Sequence, residues 1–372
     1  MSSKTDWFRR FLLPGFAFKA VVIGGGYATG RELATFFMPS GPLGGLLGMA
    51  LATVIWSTVC IITFMLAVQT QSQDYRTFFR HLLGRFWPVF EIVFFLGMIV
   101  ILAVFAAAAG AIGQALFGWP TLVGSLILMS SIALFTTYGN ESVERLFKYV
   151  SFFLYATYAV FLVLSLDHFG TRISTAFTAS GPIDGWLTGG LSYAGYNIIG
   201  AVLILPVIRH LRSRKDALVA GLLAGPLAMV PAILFFVSMV AFYPAIQNEV
   251  LPSDFLLEKL NIPVFRLAFQ VMIFAALLES GTGQVHAINE RIARTYEARG
   301  RKPPSWRARL SVTVAILIGS VFVANKLGLV ELIAYGYRWL AYAILGVYVL
   351  PLMTIGLWRL CRRTPSHDTV DY

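Results

Sequence analysis

Charge is what this sequence has least of. Asp, Glu, Lys and Arg make up 13% of its 372 residues, about half of what a soluble chain needs to cover its surface. Cysteine is nearly absent. Cys60 falls in an apolar run and Cys361 near the end of the chain, which excludes a disulfide framework. Acidic groups are rarer than basic ones, and all eight Asp lie outside the span interiors. There is no His-Glu-x-x-His and no Gly-x-Ser-x-Gly, and Ser192 has no evident base, so a membrane-embedded enzyme is disfavoured. Nothing reads as a selectivity filter or a pore-lining ring of charge, which counts against a channel.

What fills the space is apolar. Hydrophobic residues reach 58%, 30 of them Phe, and the mean hydropathy is +0.74. Runs of roughly 20 residues predict ten transmembrane helices, near 14–38, 44–68, 88–113, 120–138, 147–166, 187–208, 216–243, 264–289, 308–325 and 330–357. No room is left for a soluble domain. The first run is too long for a cleaved leader and lacks a small-residue cleavage site.

The net charge of +11 could suggest nucleic acid. Its distribution says otherwise. With the N-terminus inside, the outer segments hold only Arg172, Lys259, Arg266 and Lys326, and the spans only Arg31 and Arg338. Every other Lys and Arg falls on an inner segment, as the positive-inside rule requires. The expected frame is a multi-pass membrane protein with both termini cytoplasmic.

The second half repeats the first. Gly45-Leu46-Leu47 returns as Gly221-Leu222-Leu223, Pro88-Val89-Phe90 as Pro263-Val264-Phe265, and Phe105-Ala106-Ala107 as Phe274-Ala275-Ala276. Both copies carry an amphipathic link, around Asp74–Leu83 and Asp254–Leu260. The order holds at an offset of about 170–176 residues. Five spans per copy is an odd number, so the second copy is inverted, an arrangement typical of secondary transporters with the solute at mid-membrane. The expected division is an N-terminal segment 1–13, a first repeat 14–166, an outer loop 167–186, an inverted repeat 187–357 and a tail 358–372.

Two spans carry breaks. The first reads Gly24-Gly25-Gly26-Tyr27-Ala28-Thr29-Gly30-Arg31-Glu32. Three glycines inside a helix cost about 1 kcal/mol each relative to Ala, and unwound backbone at membrane depth survives only beside a cavity. A close helix crossing through small residues is the plainer reading, but the adjoining Arg31-Glu32 argues against it. The matching sixth span reads Gly189-Gly190-Leu191-Ser192-Tyr193-Ala194-Gly195-Tyr196-Asn197. Paired interruptions point to a binding site, so Gly24, Gly25, Gly26, Tyr27, Tyr193, Gly195, Tyr196 and Asn197 are the expected substrate-binding residues.

This arrangement resembles the LeuT-fold transporters of the amino acid–polyamine–organocation superfamily, and the glycine motif looks most like that of the YkvI-like bacterial membrane proteins. The resemblance covers the whole chain in architecture but only about ten residues in specific motif. It implies cation-coupled movement of an amino acid or related small organic solute, between helices 1, 3, 6 and 8. It also implies an outer-gate role for Arg31, with Glu331 on the tenth span as acidic partner. Glu32 has no counterpart in the resemblance.

The remaining span charges leave three readings open. Glu279, Thr282, His286 and Asn289 share one face of the eighth span. A carboxylate at mid-membrane is costly, which makes Glu279 a candidate proton carrier. Ser280 and Thr282 could instead ligate Na+, as the resemblance implies. A static pair of Glu279 or Glu32 with Arg338 is the third reading. Glu91, near the inner interface, is expected to face water. No cofactor is expected beyond Na+ or H+ as coupling ion, and the partners are a small organic solute and the bilayer. The sequence leaves the oligomeric state open. A receptor or sensor subunit that binds a solute without moving it is the alternative function.

Overall fold

The computed structural model describes residues 6–23, 25–138, 141–179, 181, 183–298, 300 and 305–362. Among them every regular element is helical. Lipid offers no hydrogen bonds to an open backbone, so apolar runs close their amides and carbonyls within a helix. The second span is Gly41–Thr70, the third Trp87–Phe117, the fourth Thr121–Tyr138, the seventh Arg214–Val240 and the eighth Pro263–Ala298. Six helical stretches are long and apolar enough to cross a membrane. Their outer faces are apolar and open, with Val264 81%, Phe152 76% and Phe322 67% exposed. Such surfaces suit acyl chains and not water.

The repeat is visible in the packing. Short link helices, Tyr75–Leu83 and Pro252–Leu260, occupy matching places before the third and eighth spans. The first is capped by Asp74, whose carboxylate accepts from the Thr77 backbone N–H at 2.9 Å. The second span crosses the seventh at small residues. A Cβ on Gly221 would lie 2.5 Å from the Ile61 nitrogen, and one on Gly225 2.4 Å from Ser57 Oγ. One on Gly45 would lie 2.2 Å from Phe236. Along this contact one set of numbers rises as the other falls, so the repeat-related helices run antiparallel, as inversion requires. The residues that betrayed the repeat in the sequence are those that let the two copies touch.

Two boundaries differ from expectation. The fifth helix, Glu141–Thr178, continues well past 166, so most of the predicted outer loop is helical. Its extension is water-facing in composition, with Asp167 exposed, and hydropathy detects only the part of a helix that meets lipid. The ninth and tenth spans are joined almost without a loop. The helix Trp306–Glu331 bends at Gly328 (φ 75°, ψ 171°), and the tenth span continues from there through Cys361 with π-helical segments at Leu332–Tyr337, Leu345–Val349 and Leu352–Gly356. We call the end of the molecule bearing the N-terminal segment and the link Tyr75–Leu83 the inner end.

Candidate functional site

The first span breaks where the glycines stand. Helix Leu13–Val22 stops at Ile23 (φ −83°, ψ 74°), a single turn occupies Gly25–Ala28, and the chain resumes as Arg31–Phe36. Gly24 lies outside the described residues, and Gly25 and Gly26 are described only by their place in that turn. Gly30 takes φ 77°, and a Cβ there would meet Phe235 at 3.0 Å and Pro252 at 3.1 Å. Both facts demand glycine. Backbone groups freed by the break find other partners. Gly30 N–H donates to Tyr27 O at 3.0 Å, and Ser253 N–H, on the outer link helix, donates to Thr29 O at 3.0 Å.

The sixth span breaks in the corresponding place. Helix Trp186–Asn197 ends, a turn follows, and short pieces Gly200–Leu203 and Val207–His210 lead to the inner end. Asn197 Nδ2 donates to Tyr193 O at 3.1 Å. Gly195 faces the tenth span, where a Cβ would stand 3.0 Å from Ala341 Cβ.

Between the breaks and the inner end lies a cavity of about 330 Å³. Its walls come from helical stripes. The third span contributes Phe94, Gly97, Met98, Ile101 and Phe105; the eighth contributes Ser280, Gly283, Gln284, Ala287 and Arg291. Both sets recur at three- and four-residue steps, one face of an α-helix, and each spans roughly 16 Å at 1.5 Å per residue. Ala20, Val21 and Val22 add the inner half of the first span, Ile199 and Leu203 the inner part of the sixth, Tyr337 and Leu340 the tenth. Glu32, Tyr196 and Asn197 also line it. Glu32 is 4% exposed. The Tyr196 hydroxyl donates to Glu32 Oε2 at 2.5 Å, and the Tyr196 ring packs on Tyr337 at 4.5 Å between centroids. At the inner end Arg291 lies over Phe94 (3.8 Å) and Tyr75 (4.3 Å).

The outer side is packed shut. Tyr193 is fully buried among Phe37, Trp56, Phe36 and Tyr196, with centroids 4.8–6.2 Å away. Tyr27 packs on Tyr158 and Phe235 and borders a separate space of about 150 Å³. Of the eight expected substrate residues, the structure therefore brings Tyr196 and Asn197 to the cavity. Tyr27 and Tyr193 stand above it, in the seal, and Gly195 serves a helix contact.

The expected gate pair is corrected. Arg31 turns outward and donates through Nη1 to the carbonyls of Gln247 (2.8 Å) and Glu249 (2.7 Å), with Nε to Thr35 Oγ1 at 3.1 Å. Those acceptors are backbone atoms of the loop after the seventh span. Glu331 is exposed and takes no part. Arg338 is exposed on the tenth span, so neither Glu32, held by Tyr196, nor Glu279 forms the expected static pair with it. At the inner end Arg10 donates to both oxygens of Asp216 at 2.7–3.0 Å, and Arg212 to Asp6 at 3.0 Å. This ties the start of the first span to the start of the seventh. Glu91 is not simply water-facing, for it accepts from Tyr75 and Arg76 at 3.1 Å each.

The eighth-span residues divide. Glu279 is half-buried in a second cavity of about 300 Å³, with Ala20, Ile23, Leu154 and Tyr155. Ser280 borders both cavities. Thr282 is buried with no hydrogen-bond partner for its hydroxyl, Asn289 donates to Thr313 at 3.0 Å, and His286 is exposed. The polar face expected from Glu279 to Asn289 therefore does not line the main cavity. The stripe that does begins one residue later, a rotation of about 100°. Arg291, taken from the sequence as an inner-loop charge, belongs to it. Its signal was the three- and four-residue spacing from Ser280 onward.

No protein-family model matches this sequence. An uncharacterised membrane protein of Bacillus subtilis, YkvI, is 21% identical over 369 residues, covering 95% of this chain and 96% of that protein. Among solved structures, the manganese transporter of Eremococcus coleocola matches with a TM-score of 0.61 at 17% identity, over 95% of this chain and 80% of that one. MhsT in complex with L-phenylalanine matches with 0.62 at 16% identity, over 94% and 96%. The chain is a membrane protein with the LeuT fold.

Proposed function

We propose that this protein is a secondary active transporter of an amino acid or a related small organic solute, coupled to Na+ or H+, and working by alternating access. It sits in the inner membrane of a bacterium with both termini in the cytoplasm. The observation that carries the reading is the cavity itself. It starts at the two helix breaks and runs between the first, third, sixth, eighth and tenth spans, beneath an outer side packed with buried aromatic residues. Transporters bind at the interface of inverted repeats beside broken helices, and a cavity of about 330 Å³ falls at the lower end of ordinary ligand pockets. The neighbours of known fold support it: one transports manganese, and another was solved with L-phenylalanine.

In this reading Tyr196 and Asn197 touch the solute, while the first-span turn Gly25–Ala28 and Tyr193 shape the closed end above it. Arg31 and its carbonyl acceptors close the outer side. Glu279, Ser280 and Thr282 form the region from which the coupling ion acts. The test is uptake of a radiolabelled solute panel into proteoliposomes under imposed Na+ or H+ gradients. Gradient-driven accumulation of at least one organic solute is expected. Absence of flux with every solute and both gradients sinks the proposal.

A further inference from the structure

The carboxyl at the closed end of the cavity defines what can enter. Glu32 is buried, and the structure gives it one hydrogen-bond donor, the Tyr196 hydroxyl. Arg31 is turned away to the loop carbonyls. The other ionisable groups around Glu32 are phenols: Tyr196 and Tyr193 from the sixth span, Tyr337 from the tenth and Tyr27 from the first. The third span presents only Phe, Met, Ile and Gly. On the eighth span Arg291 stands at the opposite end of its stripe, among Phe94 and Tyr75, and Glu279 faces the neighbouring cavity. No Lys or Arg among the described residues pairs with Glu32.

An isolated carboxylate away from water is not tolerated; it needs a cation or a proton. Aromatic side chains line the same cavity, Tyr196, Tyr337 and Phe105 among them, which favours an organic cation over a bare ion. Below it the first, third and sixth spans present apolar side chains, facing Ser280, Gln284 and Arg291 on the eighth, and a solute body must match the apolar side. We infer that the cavity takes an amine with an apolar body, and that its ammonium group displaces a proton from Glu32 on binding. The inference rests on the cavity being the solute site. The step is a plain exchange: the ammonium arrives with its charge, the carboxyl loses its proton to water, and the site stays neutral throughout.

The experiment is a binding measurement, independent of flux. The purified full-length protein is titrated with 2-phenylethylamine, and with 2-phenylethanol and 3-phenylpropanoate as neutral and anionic counterparts, by thermal shift and calorimetry. Only the amine is expected to stabilise the protein. Its affinity should rise with pH between about 5 and 8, by up to tenfold per unit, because one proton is released. Glu32→Gln should weaken it at least tenfold and flatten the pH series, while Glu331→Gln, away from the cavity, leaves both unchanged. Should Glu32→Gln not fold, Glu32→Asp and the wild-type pH series decide. No binding of the amine, equal binding of the alcohol or acid, or a pH-independent affinity overturns the inference. Amine binding without gradient-driven flux would leave it standing and remove the transporter reading instead.

Discussion

Glu32 and Glu279, the two span carboxyls that border the central cavities, occupy opposite circumstances. Glu279 sits on an unbroken helix, half-buried, in a side space between the first, fifth and eighth spans. Glu32 sits at a helix break, buried, at the meeting point of the sixth and tenth spans, and on the main cavity. The sequence made Glu279 a candidate proton carrier because it stands near the middle of a predicted span. Depth alone does not decide function. A carboxyl on a continuous helix can turn aside with its helix face, whereas one placed just past a break is aimed by the break.

Substitutions separate the two. The largest effect belongs to Glu32→Gln, which should cut amine uptake about a hundredfold, near 2.7 kcal/mol, within the range for removing one side of a buried charge contact. Uptake within twofold of wild type would reverse the ranking. Next comes Gly30→Ala, which forces a left-handed backbone on alanine against Phe235 and Pro252 and should cost about 1–3 kcal/mol. Its check is a lowered melting temperature in detergent, and an unchanged one would mean that the break can relax. Glu279→Gln should change amine affinity less than about threefold, ~0.7 kcal/mol. If instead it abolishes the proton dependence of uptake while Glu32→Gln does not, Glu279 is the coupling group. The smallest effect is Glu331→Gln. Because Arg31 spends its hydrogen bonds on Gln247 and Glu249 carbonyls, stability and uptake should stay within about 0.5 kcal/mol of wild type.

Much of the architecture was legible in the sequence. Apolar runs gave the spans, small residues gave the repeat, and Gly24–Gly26 located the first interruption, whereas the 189–197 stretch is helical and the sixth span breaks just past it, after Asn197. The site was legible only in part. Tyr196 and Asn197 were found because they interrupt an apolar run. Arg291 was missed because nothing in a hydropathy profile says where a helix continues past the lipid, and its helix continues to Ala298. The partner of Arg31 was misassigned for a deeper reason. Side chains announce themselves in a sequence, but a carbonyl is carried by every residue, and which two converge on a guanidinium is a property of the folded loop. The direction of Glu279 failed by a single residue, since one step along a helix turns the side chain through about 100°.

The fastening of Arg31 has a consequence for how the two ends of the molecule answer their surroundings. The inner tie, Arg10 to Asp216, joins two full charges, and acid or salt can loosen it. The outer one ends on amide oxygens, which neither titrate nor attract counter-ions strongly. Acidifying or salting the outer medium therefore leaves this clasp untouched; only displacement of the loop that bears the carbonyls releases it. The Arg10 tie answers to chemistry, and the Arg31 clasp yields to mechanics.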